Sequence, residues 1–291
     1  VSAPLPVCYL NGSFLPLADA RVSPLDRGFL FGDAVYEVVP VYGRRPFRLR
    51  EHLDRLNRSL DALRMPPPRS HPEWAAICHK LVAQADGQDC YIYLQVSRGA
   101  ELGRNHAWPE GLTPTLFAYV TLLEPLPLAL LEQGVTAVTA SDTRWQRRDI
   151  KSTALLANVL LKKRAADSGA FETILIENGE LTEGSSTTVH VVSDGIIQTP
   201  PNGHHILPGT TREVVTELAL RLNIGCRSGC VPESVLRSAQ EIWLGSATRG
   251  VLPVTTLDGE AVGSGRPGPL FKRMRAAFTA YTQDLAGSAP L

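Results

Sequence analysis

Residues 171–192, FETILIENGELTEGSSTTVHVV, carry two apolar runs around Asn178-Gly179. An Asn-Gly pair supplies the positive φ that a tight hairpin turn demands, so the stretch reads as antiparallel strands. Asp194-Gly195 marks a second turn of this kind. Outward from this hairpin, further strands are expected over 36–42, 91–96, 115–122, 134–140, 241–244 and 251–255. Pro40 cannot donate to a ladder, so it argues for an edge position or a bulge. Glu51 to Leu63 carries Leu53, Leu56, Leu60 and Leu63 at helical spacing, and further helices fit 74–83, 209–222 and 269–281. Ser152 reads as the N-cap of a helix bearing Leu155, Leu156, Val159 and Leu160, with Lys162, Lys163 and Arg164 near its negative pole. The proline-rich segment 123–128 reads as a linker between a domain over 1–122 and another over 129–291. The pattern is α+β in two domains, not the regular alternation of a doubly wound sheet.

Composition narrows the function. With 44% apolar and 20% charged residues over 291 positions, there is ample surface to bury, which excludes disorder over most of the length. Twenty-nine basic residues balance 29 acidic ones, so the excess expected of a nucleic-acid binder is missing. Cys8, Cys78, Cys90, Cys226 and Cys230 are scattered and odd in number, which favours a reduced, cytoplasmic setting over a disulfide scaffold. Cys226 and Cys230 read as ordinary thiols, and no metal site is expected. VSAPLPVCYL lacks the features of a signal peptide, and Glu124, Pro125 and Pro127 interrupt the most apolar segment, Ala118 to Leu131. No membrane partner is expected.

Four places have the residue types of a reactive site. Lys151, in DIKS, follows a short extended segment with apolar neighbours, where an amine that loses water becomes an imine-forming nucleophile. Glu183 runs into the hydroxyl-rich turn Gly184-Ser185-Ser186, which suits a carboxylate paired with a buried cationic nitrogen. Ile206-Leu207-Pro208-Gly209-Thr210-Thr211-Arg212 opens a helix whose free N–H groups suit a phosphate, and Gly245-Ser246-Ala247-Thr248 is a similar turn. Arg98, Arg104 and His106 stand where they can hold a carboxylate. Taken one at a time, a solvated lysine, a plain turn, an ordinary helix start and a basic loop explain them as well or better. Together they meet the needs of pyridoxal phosphate chemistry on an amino acid.

The chain resembles the fold-type IV pyridoxal-phosphate enzymes, and within them the D-amino acid aminotransferase branch. The matching stretches are DRGFLFGDAVYEVV (26–39), EHLDRL (51–56), QVSRG (95–99), DIKS (149–152), LTEGSS (181–186) and ILPGTTR (206–212), in family order over nearly the whole chain. The resemblance implies a small α/β N-terminal domain and a larger, β-barrel-like C-terminal domain with helices. It implies that Lys151 carries pyridoxal 5'-phosphate as a Schiff base and moves the substrate proton. Glu183 would keep the pyridine nitrogen protonated, and Leu207 would lie against the ring. Arg55, Thr210, Thr211 and Ser246 or Thr248 would hold the phosphate. Tyr36, Arg104 and His106 match the substrate-carboxylate trap, whose arginine and histidine come from the neighbouring subunit in relatives, which implies a homodimer. The expected reaction passes an amino group from a D-amino acid such as D-alanine or D-glutamate to a 2-oxo acid such as 2-oxoglutarate or pyruvate. The alternatives within the fold are aminodeoxychorismate lyase and the branched-chain or R-amine aminotransferases. Ala100 to Gly103 is one residue longer than in typical relatives, Thr188 and His190 replace asparagine and phenylalanine, and Arg249 is a candidate for a substrate's side-chain carboxylate.

Overall fold

A computed structural model describes residues 2–287. The chain divides into two compact units. The first takes the chain up to Glu124, the pentapeptide Ile150–Ala154 and the residues from Thr282 on; the second takes Pro125–Asp149 and Leu155–Tyr281.

In the first unit, strands β1 (Val7–Leu10), β2 (Ser13–Pro16), β3 (Ala34–Tyr42), β4 (Arg45–Pro46), β5 (Cys90–Ser97) and β6 (Thr115–Leu122) form one antiparallel sheet. Its order is β2-β1-β6-β5-β3-β4. Strand alternation sorts the faces: Ile92, Leu94 and Val96 of β5 are buried with Val35, Val39 and Val41 of β3. Tyr93 points to the opposite face and stacks between Tyr36 and Tyr119. Pro40 lies close to the sheet edge, since the two-residue β4 pairs only with Val41 and Tyr42. The helices are α1 (Arg27–Phe31), α2 (Leu49–Ala62) and α3 (His71–Val82). α2 buries Leu53, Leu56 and Leu60, the stripe its spacing predicts, and α3 starts at a Ser70/Glu73 capping box.

The second unit holds β7 (Val135–Ser141), β8 (Glu172–Glu177), β9 (Glu180–Gly184), β10 (Thr188–Ser193), β11 (Ile196–Thr199), β12 (Cys226–Ser228), β13 (Glu241–Ser246), β14 (Gly250–Leu257) and β15 (Glu260–Ala261). They make one mixed sheet, ordered β12-β11-β10-β13-β14-β7-β8-β9 with β15 on β14, that curls into a half-barrel. The β8–β9 turn is the Asn178-Gly179 hairpin, with φ of 53° and 78° at its two residues. Helices α4 (Leu128–Glu132), α5 (Leu156–Asp167), α6 (Thr210–Arg221), α7 (Glu233–Arg237) and the part of α8 (Pro269–Gly287) up to Tyr281 accompany it.

The α5 start differs from expectation. The helix begins at Leu156, with Leu155 as its N-cap and no side-chain cap bond. Ser152 instead pairs with Val35 in an isolated bridge, flanked by the backbone hydrogen bonds Tyr36 N–H to Lys151 C=O and Thr153 N–H to Ala34 C=O. All five cysteines are free thiols. Among the described residues no helix is long and apolar enough to cross a membrane.

Candidate active site

The first unit places Lys151 and Tyr36 together. The Tyr36 N–H donates to the Lys151 carbonyl at 3.0 Å, and the Lys151 N–H donates to Ser59 Oγ at 3.2 Å. With its backbone fixed on both sides, Lys151 puts Nζ 4.4 Å from the Tyr36 ring centroid. No carboxylate pairs with that amine among the described residues. The lysine is therefore held by strand-like hydrogen bonds, not by a helix start.

Behind Tyr36, Arg55 of α2 makes a bidentate pair with Glu37, both contacts 2.7 Å, and His52 Nδ1 lies 2.7 Å from the same carboxylate. All three side chains are buried. Burial would push the Glu37 carboxyl up, but Arg55 and His52 outweigh it and hold it well below the usual carboxylate range. Burial pushes the His52 imidazole down, against the pull of Glu37. Neither Glu37 nor His52 stood out in the sequence, although the His52/Arg55 spacing on one helix face is a signal once Glu37 is seen opposite it.

Arg104 and His106 are exposed on the irregular loop after β5. Arg27 organises this loop, donating to the carbonyls of Asn105 and His106 and pairing with Glu101 and Asp33. Arg104 sits 5.0 Å from the Phe31 ring centroid, and the His106 ring is 5.4 Å from it. His106 also lines a cavity of about 390 Å³ with Phe31, Asp33, Arg98 and Trp108. At the loop's root, Gly99 has φ +98°, and a Cβ there would stand 2.0 Å from the Thr113 carbonyl oxygen. Gly99→Ala should therefore lower stability by more than ~1 kcal/mol, checked by denaturant melts.

In the second unit, Glu183 on β9 accepts from Arg144 at 2.5 Å and from the Leu207 N–H at 3.2 Å. Arg144 is itself gripped by Asp142, at 2.9 and 2.6 Å, so one guanidinium spans two carboxylates. Burial pushes the Glu183 carboxyl up, partly countered by Arg144 and the Leu207 N–H. The next turn is fixed from beneath by fully buried Glu172, which accepts from Ser185, Ser186 and Thr187. Arg144 and Glu172 are further residues that the sequence reading missed.

α6 starts after Gly209, whose missing side chain matters: a Cβ would stand 2.8 Å from Thr188 Oγ1. Thr210 and Thr211 are buried, and neither hydroxyl has a hydrogen-bond partner among the described residues. Arg212 ties the helix start down, donating to Thr199 Oγ1, the Pro200 carbonyl and Ser228 Oγ. Gly245 packs beside Thr211, which brings the Ser246–Thr248 turn between β13 and β14 to the same helix start. Arg249 packs its guanidinium 5.1 Å from the Phe171 ring centroid.

The profile of amino-transferase class IV matches residues 34–257. The chain belongs to the class IV aminotransferases. This class IV chain is 39% identical to the D-alanine aminotransferase of Bacillus licheniformis, over 92% of its own length and 94% of the relative's. Among solved structures it is similar to the branched-chain amino acid aminotransferase of Escherichia coli, with TM-score 0.87 and 28% identity over 94% of this chain and 93% of that one. The T.th. branched-chain amino acid aminotransferase with pyridoxamine 5'-phosphate superimposes with TM-score 0.87 at 25% identity, over 96% and 94% of the two chains.

Proposed function

We propose that this class IV aminotransferase moves the amino group of a D-amino acid to a 2-oxo acid, using pyridoxal 5'-phosphate. The observation that carries the reading is near-full-length likeness to D-alanine aminotransferases, together with a chain that holds the residue set the chemistry needs. Branched-chain enzymes share the fold at lower identity, and aminodeoxychorismate lyase is not favoured.

The residues fit the cofactor. An amine without a carboxylate partner, the unpartnered hydroxyls of Thr210 and Thr211 and a pre-oriented buried carboxylate match its aldehyde, phosphate and ring nitrogen. When bound, the cofactor supplies an electron sink for the pair left on Cα. We assign to Lys151 the covalent attachment and the proton transfer at Cα. Glu183 holds a proton on the ring nitrogen, with Arg144 fixing its orientation. Thr210, Thr211, Ser246, Thr248 and Arg55 hold the phosphate, while Leu207 lies against the ring. Tyr36, Arg104 and His106 take the substrate carboxylate; only a D-substrate so held turns its Cα–H towards Lys151.

The active form is a homodimer in this reading. Leu102 and Phe29 of the first unit and Leu156, Val159 and Leu160 of the second are large apolar side chains left exposed. A second copy covers them, and the loop bearing Arg104 and His106 completes the partner's trap. Its setting is the cytoplasm, which suits five free thiols.

The direct test is a panel of D- and L-amino acids with 2-oxoglutarate or pyruvate, following keto-acid formation. Turnover of D-alanine with no turnover of L-leucine is expected; the reverse would reassign the enzyme to the branched-chain class. Arg104→Ala should raise KM for the amino acid roughly 10-fold or more, the scale of losing a charge-assisted contact, while cofactor retention stays unchanged.

A further inference from the structure

His190 lies on β10, on the face opposite Val189 and Val191, which belong to the second unit's core. It is fully buried, and neither Nδ1 nor Nε2 has a hydrogen-bond partner among the described residues, so a ligand at Nε2 would satisfy one of the two. An imidazole always carries polar capacity on both nitrogens, and leaving both unmet in a packed interior costs free energy. A residue kept there for packing alone has no need of those nitrogens.

The surroundings show where they point. Trp243 on β13 is the register partner, with ring centroids 6.4 Å apart. A Cβ built on Gly245 would stand 3.4 Å from His190 Nε2 and 3.7 Å from the Thr211 methyl. Nε2 is thus directed at the junction of the β13–β14 turn with the first turn of α6, a helix of 12 residues. Thr188, two residues back on the same strand face, has its hydroxyl against Gly209 at that junction. The charged group bearing on the ring is Arg212 of α6; burial and that positive charge push the imidazole down to about 3. Both effects favour the neutral ring, which has one N–H to give.

We propose that His190 is a phosphate-binding residue, its Nε2–H donating to the phosphate that the α6 start holds. The inference rests on the cofactor assignment above and goes beyond it, since none of the residues assigned there includes a donor from β10. The neutral ring adds a directed hydrogen bond without a compensating charge, and it satisfies Nε2, one of the two orphaned nitrogens, when the ligand is bound.

The test compares wild type, His190→Phe and His190→Gln. Phenylalanine keeps the aromatic volume and removes the donor; glutamine restores an N–H with reach similar to Nε2. Affinities for pyridoxal 5'-phosphate, inorganic phosphate and phosphate-free pyridoxal are measured by calorimetry on resolved enzyme, with cofactor release followed from holoenzyme. His190→Phe should bind pyridoxal 5'-phosphate and inorganic phosphate roughly 10-fold more weakly, the factor carried by a hydrogen bond to a charged acceptor, with pyridoxal unchanged. His190→Gln should recover part of the loss. The resolved phenylalanine variant should melt no lower than wild type, having shed an unmet polar group. Equal phosphate binding in wild type and His190→Phe, or parallel loss of pyridoxal, would overturn the proposal. Should His190→Phe fail to fold, His190→Leu, which also lacks the donor, decides by the same phosphate-against-pyridoxal ratio. A wild-type protein that retains no pyridoxal 5'-phosphate would instead bring down the cofactor assignment, and this inference with it.

Discussion

Lys151→Ala is expected to lower transamination by at least ~10⁴-fold, because the proposed assignment gives one amine both covalent attachment and proton transfer. The same variant should lose the visible absorbance of tethered cofactor. Its fold should survive: the backbone hydrogen bonds that fix residue 151, to Tyr36 and Ser59, involve no side-chain atom of the lysine. Circular dichroism and melting near wild type, alongside lost turnover, make the loss chemical and not structural. Added methylamine gives a second check, since a small external amine restores proton transfer without restoring attachment. Turnover within tenfold of wild type would show that the amine belongs elsewhere.

Glu183→Gln is expected to be the next most damaging change. Glutamine keeps the shape and an oxygen for the Leu207 N–H, but it removes the negative charge that, in the proposed role, holds a proton on the ring nitrogen. Losing one preorganised electrostatic contact costs about 10²–10³-fold in kcat. Arg144 remains paired with Asp142, so the variant does not strand a buried cation. KM for the amino acid should barely move, because the proposed role of Glu183 is toward the cofactor and not the substrate carboxylate. Steady-state kinetics separate the two, and a large KM change with intact kcat would remove Glu183 from this role.

Much of the fold is legible in the sequence because hairpins announce themselves locally. Asn178-Gly179 sits at the β8–β9 turn, and the alternation of YIYLQV sorts the two faces of β5. The α2 stripe is equally plain. The start of α5 is not, because Ser152 has the right side chain for a cap while its backbone is claimed by pairing with Val35. A local propensity loses to a long-range strand contact, which sequence spacing does not display. The apolar side of α5 shows the same limit. Leu156, Val159 and Leu160 have helical spacing, yet they are exposed, since periodicity says which residues share a face and not what that face meets.

The candidate site divides in the same way. Lys151, Glu183 and the α6 start are readable as motifs, because each is a short run of distinctive residue types. Their supports are not. Glu37 lies 18 positions from Arg55, and Arg144 lies 39 from Glu183. Only folding makes such pairs neighbours, so a single sequence gives no reason to join them. His190 is the converse case: a visible departure in the sequence whose meaning comes from the company its nitrogens keep.

The division of the chain has an evolutionary corollary. Neither unit is one continuous piece of polypeptide, since Ile150–Ala154 leaves the second unit's run to lie with the first. A truncation after Glu124 would yield a fragment stripped of its amine and of the pentapeptide that pairs with Ala34 and Tyr36. Recombination that trades one half for a homologue's must therefore exchange several separated stretches of coding sequence at once. The two halves are bound to be inherited as a linked pair, and chimeras should be cut around the pentapeptide, never through the proline-rich junction alone.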